Sequence, residues 1–141
     1  MFTQDRRQMR QFFVDVWIKA NNKETLEPME QILANIITMH PEYHALLNDG
    51  ERSLAQDFTP EMGQSNPFLH MAMHIAIHEQ VSTDRPSGIR DIYQQIGLKQ
   101  KDPHEVEHTM MECLGEMMWQ AQQSGEMPDE LRYLTNLKKL V

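Results

Sequence analysis

Residues 66–80 have the sequence Asn-Pro-Phe-Leu-His-Met-Ala-Met-His-Ile-Ala-Ile-His-Glu-Gln, which combines a helix-start signal with an almost continuous apolar surface. Asn66 is a residue type that caps helices, and the Pro67 that follows suits the first helical position. Apart from three histidines, the next positions are nearly all apolar around the helix axis, which is typical of a buried helix. We therefore predict a buried helix from Asn66 to about Gln80.

Other segments repeat apolar residues at intervals of three and four, the spacing that places them on one face of a helix. These predicted helices cover about Asp5–Ala20, Leu26–Ile37, Ile89–Ile96, His104–Ser124 and Pro128–Val141, with a short turn at Pro41–Leu47. Residues 50–65 are polar and aperiodic, and they predict a long loop. No segment alternates polar and apolar residues, so we expect no sheet. The pattern predicts an all-α fold, a compact bundle of about five or six helices that forms a single domain over residues 1–141.

The charge of the chain argues against two classes of partner. Its 141 residues include 13 Lys and Arg against 21 Asp and Glu, for a formal net charge of -8 at pH 7. Affinity for nucleic acid and for anionic membranes depends on clustered basic residues, so we expect neither partner. The 12 methionines supply adaptable apolar surface, which leaves room for a homodimer.

Cysteine usage and the N-terminal segment both favour the cytoplasm. Cys113 is the single cysteine, so an internal disulfide is impossible and a cysteine-based zinc site is excluded. Asp15 interrupts the apolar residues of the N-terminal segment, which therefore lacks the long apolar core of a signal peptide. No apolar run approaches the length of a membrane span. We therefore expect a cytoplasmic protein.

Three histidines of the 66–80 stretch lie on one side of the predicted helix. His70, His74 and His78 are four residues apart, so each is rotated by about 40° from the one before. An imidazole on a buried helix needs a partner, because an unpaired buried polar group costs about 1–3 kcal/mol. A metal ion would satisfy all three histidines at once, whereas carbonyl or carboxylate groups would do so one at a time.

We call such a row of side chains along one side of a helix a stripe. A second stripe of ionisable side chains follows Asp102-Pro103, which repeats the cap-then-proline signal. Its members step by four residues along the predicted helix: His104, His108, Glu112 and Glu116. A separate apolar arc on the same helix includes Val106, Met110, Cys113, Leu114, Met117 and Ala121. If the two stripes face each other, imidazoles and carboxylates converge between two helices, an arrangement that commonly binds metals in bundles.

The sequence thus predicts a metal-binding protein with a site between two helices. The predicted ligands are His70, His74, His78, His104, His108 and Glu112. Imidazole with carboxylate suits iron, manganese or zinc and does not select among them. Whether the protein is an enzyme depends on an open coordination position, and in that case Glu116 or Glu105 is the candidate base.

Other interpretations of the histidines stay open. The second stripe, taken alone, is also what the solvated face of an amphipathic helix looks like. The histidines could instead form a buried hydrogen-bond network with glutamates, or lie scattered on the surface. The alternative function is therefore a non-enzymatic helical interaction module whose histidines are structural or respond to pH. Two independent sets with spacings of four, one of them on a strongly apolar helix, favour the metal.

Further candidates have weaker support. His40 and His44 flank Pro41, and the proline break makes a common orientation of the two rings hard to predict. Glu105 and His108 match the Glu-x-x-His spacing of di-iron carboxylate bundles, but the motif occurs once where those bundles need two. Cys113 lies in the apolar arc and is interpreted as a small core residue.

Three motifs resemble a small bacterial family described as domain of unknown function 1841. They are the stretch 66–80, the segment Asp84-Arg-Pro-Ser-Gly-Ile-Arg90, and His104-Glu-Val-Glu-His108 with Glu112-Cys-Leu-Gly-Glu-Met117. The resemblance covers most of the chain and implies no activity. Hemerythrin-like and ferritin-like bundles are similar in ligand chemistry. The spacing here departs from both, so neither oxygen binding nor ferroxidase activity carries over.

Overall fold

A computed structural model describes residues 2–58 and 66–141 of the chain. Eight α-helices lie in these residues: α1 (Phe2–Asn21), α2 (Pro28–Thr38), α3 (His44–Asn48), α4 (Gly50–Ala55), α5 (Pro67–Thr83), α6 (Ile89–Lys99), α7 (Pro103–Ser124) and α8 (Glu130–Lys138). A 3-10 turn at Pro41–Tyr43 precedes α3, and the described residues contain no strand. The predicted all-α class is confirmed. The predicted number of five or six helices is wrong, because the region after Pro41 contains two additional short helices.

Helix α4 also corrects the prediction of a loop over residues 50–65. Asp49 caps this helix by accepting a hydrogen bond from the backbone N–H of Arg52. The guanidinium of Arg10 then donates to the carbonyl oxygens of Ser53 and Gln56 at the end of the helix, at 3.1 and 2.8 Å. A contact with a distant part of the chain therefore stabilises a helix that its own composition does not predict. Residues 59–65 of the predicted loop lie outside the described residues.

Contacts between Cα atoms group the chain into two compact units, which we call the first unit (Met1–Ala72) and the second unit (Met73–Val141). Helices α1 to α4 belong to the first unit, and α6 to α8 belong to the second. Helix α5 starts in the first unit and ends in the second. That the whole chain folds as a single domain stays a prediction.

The first unit buries apolar residues of α1, α2 and α3 together with one charged side chain. Its core includes Phe13, Val14, Val16, Leu33, Ile36, Ile37, Leu46 and Leu47. Arg10 is 1% exposed in this core, and its guanidinium lies 4.7 Å from the ring centroid of Phe68. The guanidinium gains cation–π stabilisation there in addition to its hydrogen bonds with carbonyl groups.

The core of the second unit joins all four of its helices. It consists of Ile77, Ile89, Ile92, Ile96, Val106, Met110, Met111, Leu114, Tyr133 and Leu137. The buried hydroxyl of Tyr133 donates a hydrogen bond to Oε1 of Gln80 at 2.8 Å, which connects α8 to α5. Packing of Ile77 into this cluster places the second half of α5 beside α7, as the two histidine stripes predicted.

The segment Asp84–Arg90 contains the turn between α5 and α6 and the first two residues of α6. Oδ1 of Asp84 accepts hydrogen bonds from the backbone N–H groups of Gly88 and Arg90, at 3.1 and 3.0 Å. The guanidinium of Arg90 donates back to the carbonyl oxygens of Val81 and Ser82 in the last turn of α5. The turn thus satisfies backbone groups at the end of one helix and the start of the next. Its residues have a structural role.

None of the helices in residues 2–58 and 66–141 combines the length and the apolar composition that crossing a membrane requires.

Candidate metal centre

Helix α5 presents its central histidine to the interior of the second unit. The helix begins as predicted, because Oδ1 of Asn66 accepts hydrogen bonds from the backbone N–H groups of Phe68 and Leu69. His74 lies two turns further along and is 0% exposed. The packing of Ile77 in the core keeps this side of the helix turned toward α7.

Helix α7 carries the other two histidines of the site. Asp102 caps the helix by accepting a hydrogen bond from the backbone N–H of His104, and Pro103 occupies the first helical position. His104 and His108 are one turn apart on the same side of this helix, with ring centroids separated by 4.3 Å. Both side chains are half-buried.

His74, His104 and His108 lie together, and we call them the histidine cluster. The ring centroid of His74 is 4.7 Å from that of His104 and 4.8 Å from that of His108. Each ring offers one nitrogen, and these nitrogens lie within 4.8 Å of one another. Ligand nitrogens with metal bonds of about 2.0–2.1 Å are about 3–4 Å apart, so small side-chain rotations would bring the three onto one ion. The cluster is therefore at metal-binding distance.

A buried carboxylate lies directly behind the cluster. Glu107 is 6% exposed, and its Oε1 atom is 3.0 Å from Nδ1 of His74 and 3.2 Å from Nε2 of His78. Burial alone would raise the pKa of Glu107, but hydrogen bonds from His74 and His78 outweigh burial and lower it to about 2. An ionised carboxylate only accepts hydrogen bonds, so Nδ1 of His74 carries a proton. In a neutral ring, Nε2 of His74 then has the lone pair that a metal requires.

His78 is the most exposed of the three side chains that meet at Glu107. Its side chain is 40% exposed, and one ring nitrogen bonds to the same oxygen of Glu107 that His74 uses. The hydrogen bond with Glu107 raises the pKa of His78. Burial of the ring lowers the pKa, but by less than the hydrogen bond raises it. His78 therefore contacts the carboxylate rather than lying in the cluster itself.

The carboxylates that were predicted from the second stripe are exposed. Glu112 and Glu116 both lie on the solvent side of α7, where Oε1 of Glu116 accepts a hydrogen bond from Gln120. Oε1 of Glu105 lies 3.7 Å from Nδ1 of His108, and its side chain is 62% exposed. The structure therefore brings three of the predicted ligand residues together and leaves Glu112 in contact with solvent.

His70 has its described partner in the first unit. Its Nε2 atom lies 3.2 Å from Nε2 of His40, which is 4% exposed. Nδ1 of His40 lies 2.7 Å from the carbonyl oxygen of Ile36, and the ring of Tyr43 stacks on it at 5.2 Å. The first unit thus contains a histidine pair that reasoning from the sequence did not predict.

His44 has a different environment from His40. Its Nε2 atom lies 2.8 Å from the carbonyl oxygen of Ile37, and its ring centroid lies 4.5 Å from that of Trp17. The ring therefore satisfies a carbonyl group near the end of α2 and packs against α1. These contacts are those of a structural histidine.

Glu107 was not among the predicted site residues, and His40 was named only as a weaker candidate. Each continues an apolar pattern: Glu107 precedes Met110, Met111 and Leu114 by three, four and seven residues. His40 follows Leu33, Ile36 and Ile37 at the same intervals. A polar residue on an apolar face must have a buried partner, and that signal was present in both cases.

The model of one protein family matches residues 5–139, almost the whole chain. The chain belongs to that family, which is described as a domain of unknown function (DUF1841). The resemblance stated from the sequence motifs is therefore confirmed. No curated protein and no solved structure matches this DUF1841 chain.

Proposed function

We propose that this DUF1841 protein binds one divalent transition-metal ion through His74, His104 and His108. The observation that carries the proposal is the convergence of three imidazole nitrogens from two helices to within 4.8 Å of one another. A chance group of surface histidines would not include a ring that is 0% exposed. Helix pairs in bundles are a common setting for such sites.

The ligand set favours some metals over others. Imidazole nitrogen suits zinc, iron, copper and nickel, whereas manganese is better served by carboxylate oxygen. The proposal therefore retains zinc and iron from the predicted set and gives manganese less weight, since Glu112 is exposed. Three protein ligands would leave a position for water or a small ligand, as catalytic zinc sites do. That open position is what an enzymatic role would use.

A second candidate function is a histidine network that responds to pH without a metal. The shared contact of His74 and His78 with Glu107 favours it, because a buried carboxylate between two imidazoles is stabilising on its own. In that case the protein would be a non-enzymatic interaction module. Removal of metal separates the two candidates, because a network without metal is indifferent to a chelator.

Elemental analysis of the protein provides the direct test. The chain would be produced without an affinity tag, purified without chelator, and analysed for bound metals alongside His74→Ala and His104→Ala. We expect about one ion per wild-type chain and a large loss in both variants. His44→Gln is the matched control, because it also removes one histidine, in the first unit. Wild-type metal content in both alanine variants would overturn the proposal, as would a wild-type chain that neither contains nor takes up metal.

We infer a cytoplasmic location from cysteine usage, because the chain has a single cysteine, Cys113, and so forms no internal disulfide. The net charge of -8 supports a role without nucleic acid. We also propose that the protein forms a homodimer, which a measurement of its molar mass in solution would test.

A further inference from the structure

One oxygen atom of Glu107 receives hydrogen bonds from two histidines. Oε1 lies 3.0 Å from Nδ1 of His74 and 3.2 Å from Nε2 of His78. His74 is completely buried and belongs to the histidine cluster, whereas His78 reaches solvent. The three side chains therefore form a chain from the cluster to the protein surface, with the carboxylate at its centre.

We propose that Glu107 is the positioning residue of the metal site, and that it acts by holding His74 as a ligand. The proposal rests on the metal-binding function proposed above. Glu107 fixes the proton of His74 on Nδ1, directs Nε2 toward the ion, and places a buried negative charge one ring away from it. His78 holds the carboxylate in place by occupying the same oxygen.

The tautomer is the first reason why Glu107 matters. A neutral imidazole has one protonated and one unprotonated nitrogen, and only the unprotonated nitrogen binds a metal. Oε1 of the buried Glu107 lies 3.0 Å from Nδ1 of His74, which is the geometry of a hydrogen bond from that nitrogen to the carboxylate. The proton of a neutral His74 therefore lies on Nδ1, and the ligand nitrogen is Nε2. Partners of this kind typically change metal affinity by about 10–100-fold.

Charge is the second reason. Three neutral imidazoles leave the full double positive charge of a divalent ion uncompensated. Glu107 supplies one buried negative charge next to the cluster, and the interior weakens this attraction less than water would. Glu112 lies on the same helix but is exposed, so solvent screens its charge. We therefore expect Glu107, and not Glu112, to control how tightly the ion is bound.

A small cleft reaches Glu107 from outside. Its volume is about 80 Å³, and it is lined by Ile77, His78, Val81, Ser82, Tyr93 and Glu107. Replacement of Glu107 by alanine would enlarge this space by the volume of a methylene and a carboxylate group. Formate is a carboxylate small enough to enter such a space, so it can replace the missing group without a covalent link. This allows a rescue experiment that separates positioning from a general loss of structure.

The experiment uses Co²⁺ as the probe, because its visible absorption reports both affinity and ligand geometry. Co²⁺ affinity and spectrum would be measured for the wild type, Glu107→Gln and Glu107→Ala, the last with and without formate. Glu79→Ala is the matched control, since it removes an exposed carboxylate from α5. We expect a loss of about 10–100-fold in both Glu107 variants, a shifted spectrum, and recovery of Glu107→Ala on addition of formate. Formate should leave the wild type and Glu79→Ala unchanged.

Two outcomes would overturn the inference while leaving the proposed function intact. One is a wild type that binds Co²⁺ together with a Glu107→Gln variant of the same affinity and spectrum. The other is a loss in Glu107→Ala that formate does not reduce, which would indicate general structural damage. If neither Glu107 variant folds, His78→Gln is measured instead, with an expected loss of several-fold, and wild-type affinity there overturns the inference. A wild type that does not bind Co²⁺ at all would instead reject the proposed function.

Discussion

Nδ1 of the buried His74 lies 3.0 Å from Oε1 of the buried Glu107. This contact joins α5 to α7 and places the proton of a neutral His74 on Nδ1, so Nε2 is the nitrogen that would bind a metal. It also explains why the protein tolerates a completely buried histidine here, because the ring of His74 donates a hydrogen bond to the ionised Glu107. The candidate function and the stability of the second unit therefore depend on the same pair of residues.

We predict that His74→Ala removes bound metal and lowers the thermal stability of the metal-loaded protein. The variant lacks one ligand and leaves Glu107 without its buried hydrogen-bond donor. A ligand present at 100 times its Kd stabilises a folded protein by about 2.7 kcal/mol, so loss of the ion lowers the Tm measurably. Calorimetry with and without added metal checks this. A His74→Ala protein that still shows the wild-type metal-induced rise in Tm would contradict the prediction.

Local signals in the sequence predicted the helices that bear the site. The start of α5 at Asn66-Pro67 and that of α7 at Asp102-Pro103 depend on residues next to each other in the chain. Helical spacing also placed the histidines of each stripe on one side of their own helix, because residues four apart share a side. His74, His104 and His108 are accordingly three of the six ligands that the sequence predicts.

The rest of the site depends on contacts between distant residues. Counting in steps of four from His104 leads to Glu112, which is exposed, and misses Glu107, whose partners lie on α5. Helix α4 was missed for the same kind of reason, since Arg10 stabilises its end from 43 and 46 residues away. Spacing within one helix cannot identify a partner on another element. A charged residue on an apolar face was the signal that deserved more weight.

We predict that Asp84→Ala destabilises the second unit by about 1–2 kcal/mol, with little effect on metal affinity. The Asp84 side chain accepts hydrogen bonds from two backbone N–H groups of the turn, and its backbone has a φ of 53°. Alanine cannot accept those bonds and tolerates that conformation less well. Urea unfolding of the metal-free protein measures the loss. Asp84→Asn is the control, because it keeps an acceptor oxygen and should lie between the wild type and Asp84→Ala.

A chelator at neutral pH should lower the Tm of the wild-type protein. In the proposed site the ion links α5 to α7 through the histidine cluster, so its removal would break that link, and protons should have the same effect in acid because they compete for each imidazole. The matched control is His74→Ala, on which the chelator should have little effect. If the chelator leaves the wild-type Tm unchanged while acid still lowers it, the histidines form a proton-sensitive network instead of a metal site.

The last prediction concerns His78 in the metal-free protein. Its hydrogen bond with Glu107 raises its pKa, so the folded protein holds the proton of His78 more tightly than the unfolded chain does. The stability that the protonated His78 contributes is fully present below its pKa in the unfolded chain, about 6.5. It is lost as the pH rises through the higher pKa of His78 in the folded protein. Glu107 stays ionised throughout, since its pKa is about 2, and Tyr93 lines the same cleft as a neutral phenol.

We therefore expect His78→Gln to lower the Tm more at pH 5.5 than at pH 8, with chelator present at both values. The comparison isolates His78, because both proteins retain the other titratable groups and the difference between their Tm values cancels shared effects. Arg90→Gln provides a control that removes a charge outside this pair, and its effect should not vary with pH over this range. Equal destabilisation by His78→Gln at the two pH values would mean that the His78–Glu107 contact does not hold a proton in the folded protein.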